Sequence, residues 1–189
     1  MSNTITILGH DPSLANWGFA LVDVNVDTLE MKPQLIKLTK TVKSKNKQVR
    51  ASSDKLMRGR QLREAFLSHE AKAHINAAEV PSGTQSATAA TALGIATGVL
   101  ACHHKPLIEV SPTEVKKSVT GYATASKEEM IEWATDLWPD LDWLAGRAIL
   151  GKYAQDNEHL ADALAIVHTA IRTEQFKQAA AMFSIVNAA

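Results

Sequence analysis

Four residues of this sequence have the types and positions expected of a metal-binding site. Asp11 ends the apolar stretch TITILGHD, and Glu79 lies near the end of a second apolar stretch, INAAEV. Because a carboxylate in a buried strand is costly to desolvate, each of the two needs a partner or a metal ion. His159 and Asp162 are three residues apart in HLADALAIVHTAI, so a helix there places both side chains on one face. Such oxygen-rich ligands suit Mg²⁺ or Mn²⁺, and two such ions can hydrolyse a phosphodiester.

Each of these residues also has a structural interpretation. Asp11, which precedes Pro12, could form an Asx-type turn. Glu79 could belong to a structural salt bridge. His159, taken alone, is better explained as a half-exposed histidine near a helix N-terminus. Together, two strand-end carboxylates and a helix with His and Asp can converge on one point. The hypothesis is a metal-dependent hydrolytic site in which His159 binds an ion or transfers a proton near neutral pH.

The elements that must position these residues follow an α/β order. Apolar or alternating stretches predict five strands, at residues 4–11, 17–24, 34–42, 75–80 and 106–110. Helix signals predict helices from Ser52 or Ser53 to about His74, over 85–101, from Pro112 to Gly121, from Ser126 to about Leu137, and from about Asn157 onward. The first three strands, separated by turns, predict an antiparallel meander. The whole order predicts an α/β fold with a mixed five-stranded sheet flanked by helices, although strand pairing stays open.

Charge is unevenly distributed along the chain. The 189 residues favour a single domain, and the 20 basic and 20 acidic residues cancel to a net charge of zero. Residues 37–63, however, hold ten Lys or Arg and one acid, Asp54. The acids concentrate later, at 128–142 and 156–162. A solvated loop and helix face would explain the basic stretch, but its separation from the acids favours contact with DNA phosphates.

Several classes of protein are disfavoured by composition and motifs. The single cysteine, Cys102, allows no intrachain disulfide and fits a reducing, cytosolic setting. The first ten residues lack the features of a signal peptide, and no apolar stretch is long enough to span a membrane. Neither a Walker-type loop nor a dinucleotide fingerprint occurs. The sequence therefore predicts no membrane partner and no nucleotide cofactor.

Four stretches carry a family resemblance by their order along roughly residues 5–170. They are ILGHDPSLANWGFALV, AAEVPSGTQSATAATALGIATGVL, PLIEVSPTEVKKSVTGYATASKEEM and EHLADALAIVHTA. In this order they resemble the acidic hairpin, the second acidic strand, the Lys-bearing loop and the final helix of RuvC-type Holliday junction resolvases. These proteins belong to the ribonuclease H-like superfamily, and the chain looks most like their phage-encoded members.

The resemblance implies a fold, a reaction and a set of residues. It implies one RuvC-like nuclease domain over residues 1–189, with 172–189 as a C-terminal helical tail, and a ribonuclease H-like fold. The implied activity is a structure-selective endonuclease that resolves four-way and other branched DNA with two Mg²⁺ or Mn²⁺ ions. Asp11, Glu79, His159 and Asp162 would be the catalytic and metal-binding set. The expected location is the cytoplasm, or the host cytoplasm if the chain is phage-encoded.

The resemblance also implies contacts with DNA and with a second copy. Lys116 and Lys127 would approach the scissile backbone or flanking phosphates. In the basic stretch, the expected DNA contacts are Arg58, Arg60 and Arg63. Gly94 and Gly98 lie four residues apart on an Ala-rich helix, where packing on its own sheet is the simpler interpretation. The family, however, forms two-fold dimers through a helix in this region, so a homodimer is expected.

One departure from the family and three alternatives keep the function open. Many bacterial relatives carry an aromatic wedge shortly after the second acid, where this chain has residues 80–83, Val-Pro-Ser-Gly. Junction selectivity is therefore in question. The same chemistry could act on flaps, forks or RNA–DNA hybrids. The chain could also bind branched DNA without cutting it. A sugar-kinase or actin-like ATPase shares an Asp-containing first hairpin, but the short length and the lack of a second such hairpin argue against it.

Overall fold

The fold follows the predicted order of strands and helices. Residues 3–80, 83, 86–144 and 155–188 are described in a computed structural model. Their strands are β1 (Thr4–Asp11), β2 (Asn16–Asn25), β3 (Met31–Lys40), β4 (Ile75–Glu79) and β5 (Leu107–Val110). Their helices are α1 (Ala51–Glu70), α2 (Ala87–Leu100), α3 (Pro112–Thr120), α4 (Lys127–Leu137), α5 (Asn157–Ala170) and α6 (Glu174–Ala188). The expected C-terminal helix at 172–189 corresponds to α6, and Ala189 lies outside the described residues.

The sheet is mixed, with the strand order β3-β2-β1-β4-β5. Antiparallel pairing joins β1 to β2 and β2 to β3, as the predicted meander requires. Parallel pairing joins β4 to β1 and β5 to β4. The predicted α/β class and the five-stranded mixed sheet are confirmed. Because β1 and β4 are parallel neighbours, their C-terminal ends meet at one edge of the sheet.

One face of the sheet is covered by α5, which is apolar on almost all sides. Leu160, Ala163, Leu164 and Ile166 of this helix are fully buried or nearly so. A helix that is hydrophobic all round belongs in a core. The helix lies against β1 and β2 and also contacts α3 and α4. It is therefore the central element of the larger of the two cores.

The other face of the sheet is covered by α1 and α2. Trp17 and Phe19 stack there with ring centroids 5.8 Å apart, and Phe66 of α1 packs against both. His10 is fully buried among these rings and lies 3.0 Å from the Asn76 side-chain oxygen. Burial lowers the pKa of His10 to about 4, so the ring is neutral near pH 7.

A buried carboxylate at the end of α1 anchors this second core. Glu70 is 3% exposed and accepts hydrogen bonds from the Asn76 side chain at 2.7 Å and from the backbone N–H of His104 at 2.8 Å and Lys105 at 3.1 Å. Burial disfavours its charge, but these bonds outweigh burial and lower the pKa of Glu70. The carboxylate thus joins α1, β4 and the loop before β5.

We expect Glu70→Ala to destabilise the protein by about 3 kcal/mol, because it leaves one buried and two part-buried donors without their acceptor. Urea unfolding followed by circular dichroism would measure the change. Glu64→Ala, on the exposed side of the same helix, is the matched control and should change stability by less than about 0.5 kcal/mol. Equal losses in the two variants would contradict the anchoring role of Glu70.

Several predicted boundaries are wrong. The strand expected at 34–42 is β3, which begins three residues earlier because Pro33 is tolerated on this edge strand at a register shift. Neither Ser52 nor Ser53 caps α1, since Arg50 holds the cap position without a side-chain bond. The helix ends at Glu70, well before His74, whose backbone instead bonds to β1.

Other local signals are confirmed. Capping boxes open α3 at Ser111 and α4 at Ser126, and Gly121 ends α3 with a left-handed φ of 85°. The glycine is favoured there because a side chain would strain that conformation. None of the described helices is long and apolar enough to cross a membrane.

Candidate active site

The two strand-end carboxylates share one face of the sheet. Ile5 and Ile7 of β1 and Ile75 and Ala77 of β4 belong to the core beneath α5. Since side chains alternate along a strand, Asp11 and Glu79 continue these two rows toward the α5 side. The last register pair of the strands is His10 with Ala78, and both acids follow one residue later. The register therefore places the two acids side by side at this edge of the sheet.

His159, in the first turn of α5, reaches the end of β1. Its Nδ1 lies 2.6 Å from Oδ2 of Asp11, and the two side chains are 17% and 22% exposed. On the other side of the ring, Nε2 lies 3.2 Å from Nδ2 of Asn16, at the start of β2. Sequence reasoning missed Asn16, because nothing in its spacing ties it to a residue more than a hundred positions away. Asn16 and Asp11 together fix the orientation of the His159 imidazole.

Two glycines let α5 approach the sheet this closely. A Cβ added at Gly18, the register partner of Asp11, would lie closer than 3.0 Å to the backbone oxygen of His159. A Cβ at Gly9 would lie equally close to the backbone oxygen of Ala163. Helix and sheet are therefore in backbone contact at the point where the site residues meet.

The carboxylates of the site repel one another. Burial, with the charges of Asp11 and Glu79, raises the pKa of Asp162 to about 7. Burial, with the charge of Asp11, also raises the pKa of Glu79 to about 7, although Lys116 opposes this. Burial alone would lower the pKa of His159, but its hydrogen bond to Asp11 and the nearby negative charges raise it. The cluster is an anionic site that a cation or a proton would stabilise.

The donors fit a hard divalent cation in type. Three carboxylates and an imidazole are ligands that Mg²⁺ or Mn²⁺ accepts. In the described part of the chain, no three His, Cys, Asp or Glu side chains stand close enough together to enclose an ion. The shared burial and mutual repulsion of Glu79 and Asp162 nevertheless identify these acids as groups that would gain from a bound cation.

A fifth acid, Glu158, was missed by the sequence analysis. Its Oε2 lies 2.6 Å from Nζ of Lys127, and its Oε1 lies 3.5 Å from Nε2 of His159. The Glu158 side chain is 13% exposed, whereas that of Lys127 is 64% exposed. The only available signal was its place beside His159 in the first turn of a helix. Glu158 holds the exposed lysine at the rim of the acidic cluster.

We expect Glu158→Gln to lower kcat for DNA cleavage about tenfold while binding stays equal or tightens, because Lys127 loses its position and the site loses one negative charge. Steady-state kinetics on a DNA substrate, with binding measured separately, would separate the two effects. Glu128→Gln, in the first turn of α4 and exposed, is the matched control. Weaker binding with unchanged kcat would contradict the positioning role.

Asn157 fixes the start of α5. This fully buried side chain accepts a hydrogen bond from the backbone N–H of Leu144 at 2.8 Å and donates one to its carbonyl at 3.0 Å. The two bonds tie α5 to the chain that follows α4, one residue before Glu158. Residues 145–154 lie outside the described residues.

The expected DNA-binding residues fall in two places. Lys116 and Lys127 lie beside the acidic cluster, since their charges act on Glu79 and Asp162 respectively. The three arginines belong to α1, which covers the opposite face of the sheet. There Arg58 bonds to Oγ1 of Thr41 at 2.8 Å and to the Leu14 carbonyl at 3.2 Å, so its guanidinium already supports the fold. The remaining two, Arg60 and Arg63, are exposed.

An open groove lies beside these arginines. It measures about 580 Å³ and runs between α1 and α2, with Ile95 and Val99 on one side. Leu56 lines it and is 57% exposed. Packing of Gly94 and Gly98 on the chain's own sheet was the simpler interpretation, but an added Cβ at either would meet nothing within 4 Å. This face of α2 is open. In the region that lacks the aromatic wedge, Pro81 and Ser82 lie outside the described residues.

Comparison with solved structures identifies the fold. No family model and no curated protein sequence matches the chain. Thermus thermophilus RuvC in complex with a Holliday junction is similar at 22% identity and a TM-score of 0.63, over 93% of this chain and 97% of that one. Fowlpox virus resolvase with Holliday junction DNA is similar at 14% identity and a TM-score of 0.54, over 88% of this chain and 96% of that one. The yeast mitochondrial Holliday junction resolvase is similar at 14% identity and a TM-score of 0.53, over 94% of this chain and 85% of that one.

These likenesses cover most of each chain. The resemblance drawn from four sequence stretches is therefore confirmed at the level of fold. The chain has the ribonuclease H-like fold of the RuvC-type Holliday junction resolvases.

Proposed function

We propose that this chain is a single-domain, structure-selective endonuclease that resolves four-way and other branched DNA by metal-dependent phosphodiester hydrolysis. The observation that carries the proposal is the meeting of Asp11 and Glu79 at one sheet edge, where His159 bonds to Asp11 and the charges of both acids act on Asp162. Lys116 and Lys127 lie beside them, where they can bind the phosphates of a DNA strand. The shared fold with junction resolvases supports branched DNA as the substrate.

In the proposed mechanism, Asp11, Glu79, His159 and Asp162 would hold two Mg²⁺ or Mn²⁺ ions. When bound, such ions would activate water and stabilise the leaving oxygen of a phosphodiester. With a proton on Nδ1, His159 donates to Asp11, and its Nε2 accepts a hydrogen bond from Asn16. To bind an ion or accept a proton, Nε2 would give up this bond to Asn16, and Glu158 lies 3.5 Å from that atom. Lys127 would then contact the phosphate on the solvent side.

We also propose that two copies assemble through α2. Its open face at Gly94 and Gly98 lets a second helix approach closely, and a two-fold pair would carry two sites for symmetric cuts. Gly94→Leu tests this, because a Cβ at this position meets no atom within 4 Å and the side chain starts from an open face. Light scattering should show a monomer for the variant and a dimer for the wild type, with unchanged circular dichroism. Dimers of equal stability in both proteins would remove α2 from the interface.

The proposed reaction is tested with a labelled immobile four-way junction, a matched fork and a linear duplex, each with Mg²⁺ or Mn²⁺. Paired symmetric nicks in the junction, lost in Asp11→Asn and kept in Asp136→Asn, would support it. Asp136 is an exposed acid of α4 and is the matched control. Cutting of forks alone would keep the nuclease and reject the resolvase. Tight junction binding with no cutting in either metal would favour the non-catalytic alternative.

A further inference from the structure

A second cavity lies at the same edge of the sheet as the candidate active site, on the face covered by α1 and α2. It measures about 450 Å³ and lies between the β1–β2 hairpin, the segment after β3 and the first turns of α1 and α2. Its lining includes Ser13, Lys43, Lys55, Arg58 and Thr88. The volume falls within the range of about 300–1,000 Å³ that is usual for small-molecule sites. The cavity is called the hairpin cleft below.

The walls of the hairpin cleft are held by buried polar contacts. Asp54, which is 8% exposed, accepts a hydrogen bond from the backbone N–H of Ser44 at 2.7 Å. Arg58 bonds to the Leu14 carbonyl and to Thr41, whose hydroxyl donates to the same carbonyl. These contacts fix the hairpin to the segment after β3 and to α1. The cleft is therefore formed before any ligand arrives.

The charge of the hairpin cleft suits a phosphate. Lys43, Lys55 and Arg58 line it against one carboxylate, that of Asp54. The remaining lining is neutral, and apart from Leu14 it consists of small residues, among them three alanines that add apolar surface. A combination of cations at the rim and an apolar interior fits a nucleotide, which has a charged phosphate and a flat base.

The hairpin cleft is also close to the reacting position along the chain. Ser13 follows Asp11 by two residues, and Ala15 directly precedes Asn16, the partner of His159. The same hairpin therefore forms one wall of the acidic site and one wall of the cleft. A DNA strand that crosses this edge of the sheet, with a phosphate at the acidic site, would pass the hairpin that forms a wall of the cleft.

We propose that the hairpin cleft receives one unstacked nucleotide of the DNA strand that is being cut, with its phosphate on Lys43 and Lys55. This inference rests on the proposed function and names where that substrate is held. Unstacking a base costs a few kcal/mol and is easiest where pairing is already interrupted, as at a branch point. The chain has no Phe, Trp or Tyr between Phe66 and Tyr122 that could stack on the exposed base. Contacts of the base with the walls of the cleft would offset the cost of unstacking, in place of an aromatic wedge.

The test uses immobile four-way junctions with 2-aminopurine at single positions that flank the crossover, bound by wild-type protein without divalent cations. We expect fluorescence to rise severalfold at one position, because 2-aminopurine brightens when it leaves the base stack. Ala51→Leu/Thr88→Leu narrows the cleft without changing its charge and should abolish the rise. Lys43→Met should reduce the fluorescence rise by about half or more. Lys45→Met removes an equal charge from the same segment outside the cleft lining, so it should keep the rise.

The outcomes separate this inference from the proposed function. A rise that survives in the narrowed variant, or that Lys45→Met and Lys43→Met reduce equally, would overturn the cleft assignment. The cleft assignment would also be overturned if the wild type bound and cut the junction with no rise in fluorescence at any flanking position. In that case the proposed function would stand. Absence of junction binding by the wild type would overturn both. Circular dichroism and urea unfolding of each variant establish that its fold is intact.

Discussion

Asp162→Asn is expected to abolish DNA cleavage and, without divalent cations at pH 8, to make the protein more stable than the wild type. The carboxylate lies close enough to Asp11 and Glu79 for their charges to act on it, and it is half-buried. A neutral amide of the same shape removes this repulsion and the cost of burying a charge. It also removes a ligand of the proposed ions, which should lower the cleavage rate by about 10³-fold or more, equivalent to roughly 4 kcal/mol.

The pH dependence follows from the sign of the shift. The pKa of Asp162 is raised from 3.8 to about 7 in the folded protein. Between these two values the folded state binds more protons than the unfolded state, so stability falls as pH rises through this window. Glu79, raised from 4.5 to about 7, acts in the same direction. At pH 8 the wild-type carboxylate is charged, so the wild type bears the full cost of that half-buried, repelled charge. The free energy of unfolding of Asp162→Asn should therefore be higher than that of the wild type by on the order of 2 to 4 kcal/mol.

Urea unfolding of wild type and Asp162→Asn at pH 5 and pH 8, with a chelator and then with Mg²⁺ or Mn²⁺, would measure this. The advantage of the variant should be larger at pH 8, where the wild-type carboxylate is charged. Added cation should stabilise the wild type far more than the variant, because binding to the folded state alone raises stability. Asp136→Asn, on the exposed surface, should behave like the wild type. A variant that is less stable than the wild type at pH 8 in chelator would show that Asp162 serves a structural ion pair.

Strand periodicity and helix caps were sufficient to predict most of the fold. The alternating stretches gave the five strands, and Ser111, Gly121 and Ser126 located the ends of α3 and α4 because capping is decided by neighbouring residues. The acidic site was predictable for a related reason. A charge at the end of an apolar strand, such as Asp11 or Glu79, needs a partner whatever the rest of the fold is.

What could not be predicted depends on contacts between distant residues. Asn16 and Glu158 act through His159 and Lys127, and no local pattern distinguishes them from surface residues. Arg58 belonged to a basic stretch that pointed to DNA, yet its guanidinium is engaged by Leu14 and Thr41. Such roles follow from the packing of α1 and α5 on opposite faces of the sheet, which periodicity alone does not give.

Gly18→Ala is expected to destabilise the protein by about 3 kcal/mol and to lower DNA cleavage about 10²-fold. The added methyl would overlap the backbone oxygen of His159, and a helix backbone cannot move aside as a flexible side chain can. The first turn of α5 must therefore shift away from β2. The imidazole of His159 would then leave Asp11, and a displacement of about 1 Å in such a site costs about 10²-fold in rate.

The matched control for stability is Gly94→Ala, because its methyl meets no atom within 4 Å and a helical Ala is favoured over Gly by about 1 kcal/mol. Gly9→Ala tests the same helix one turn further along, where the overlap is with Ala163. We expect urea unfolding to show large losses for Gly18→Ala and Gly9→Ala and a gain for Gly94→Ala. If Gly18→Ala kept wild-type stability and cleavage, the close approach of α5 to β2 would not be what places His159 beside Asp11.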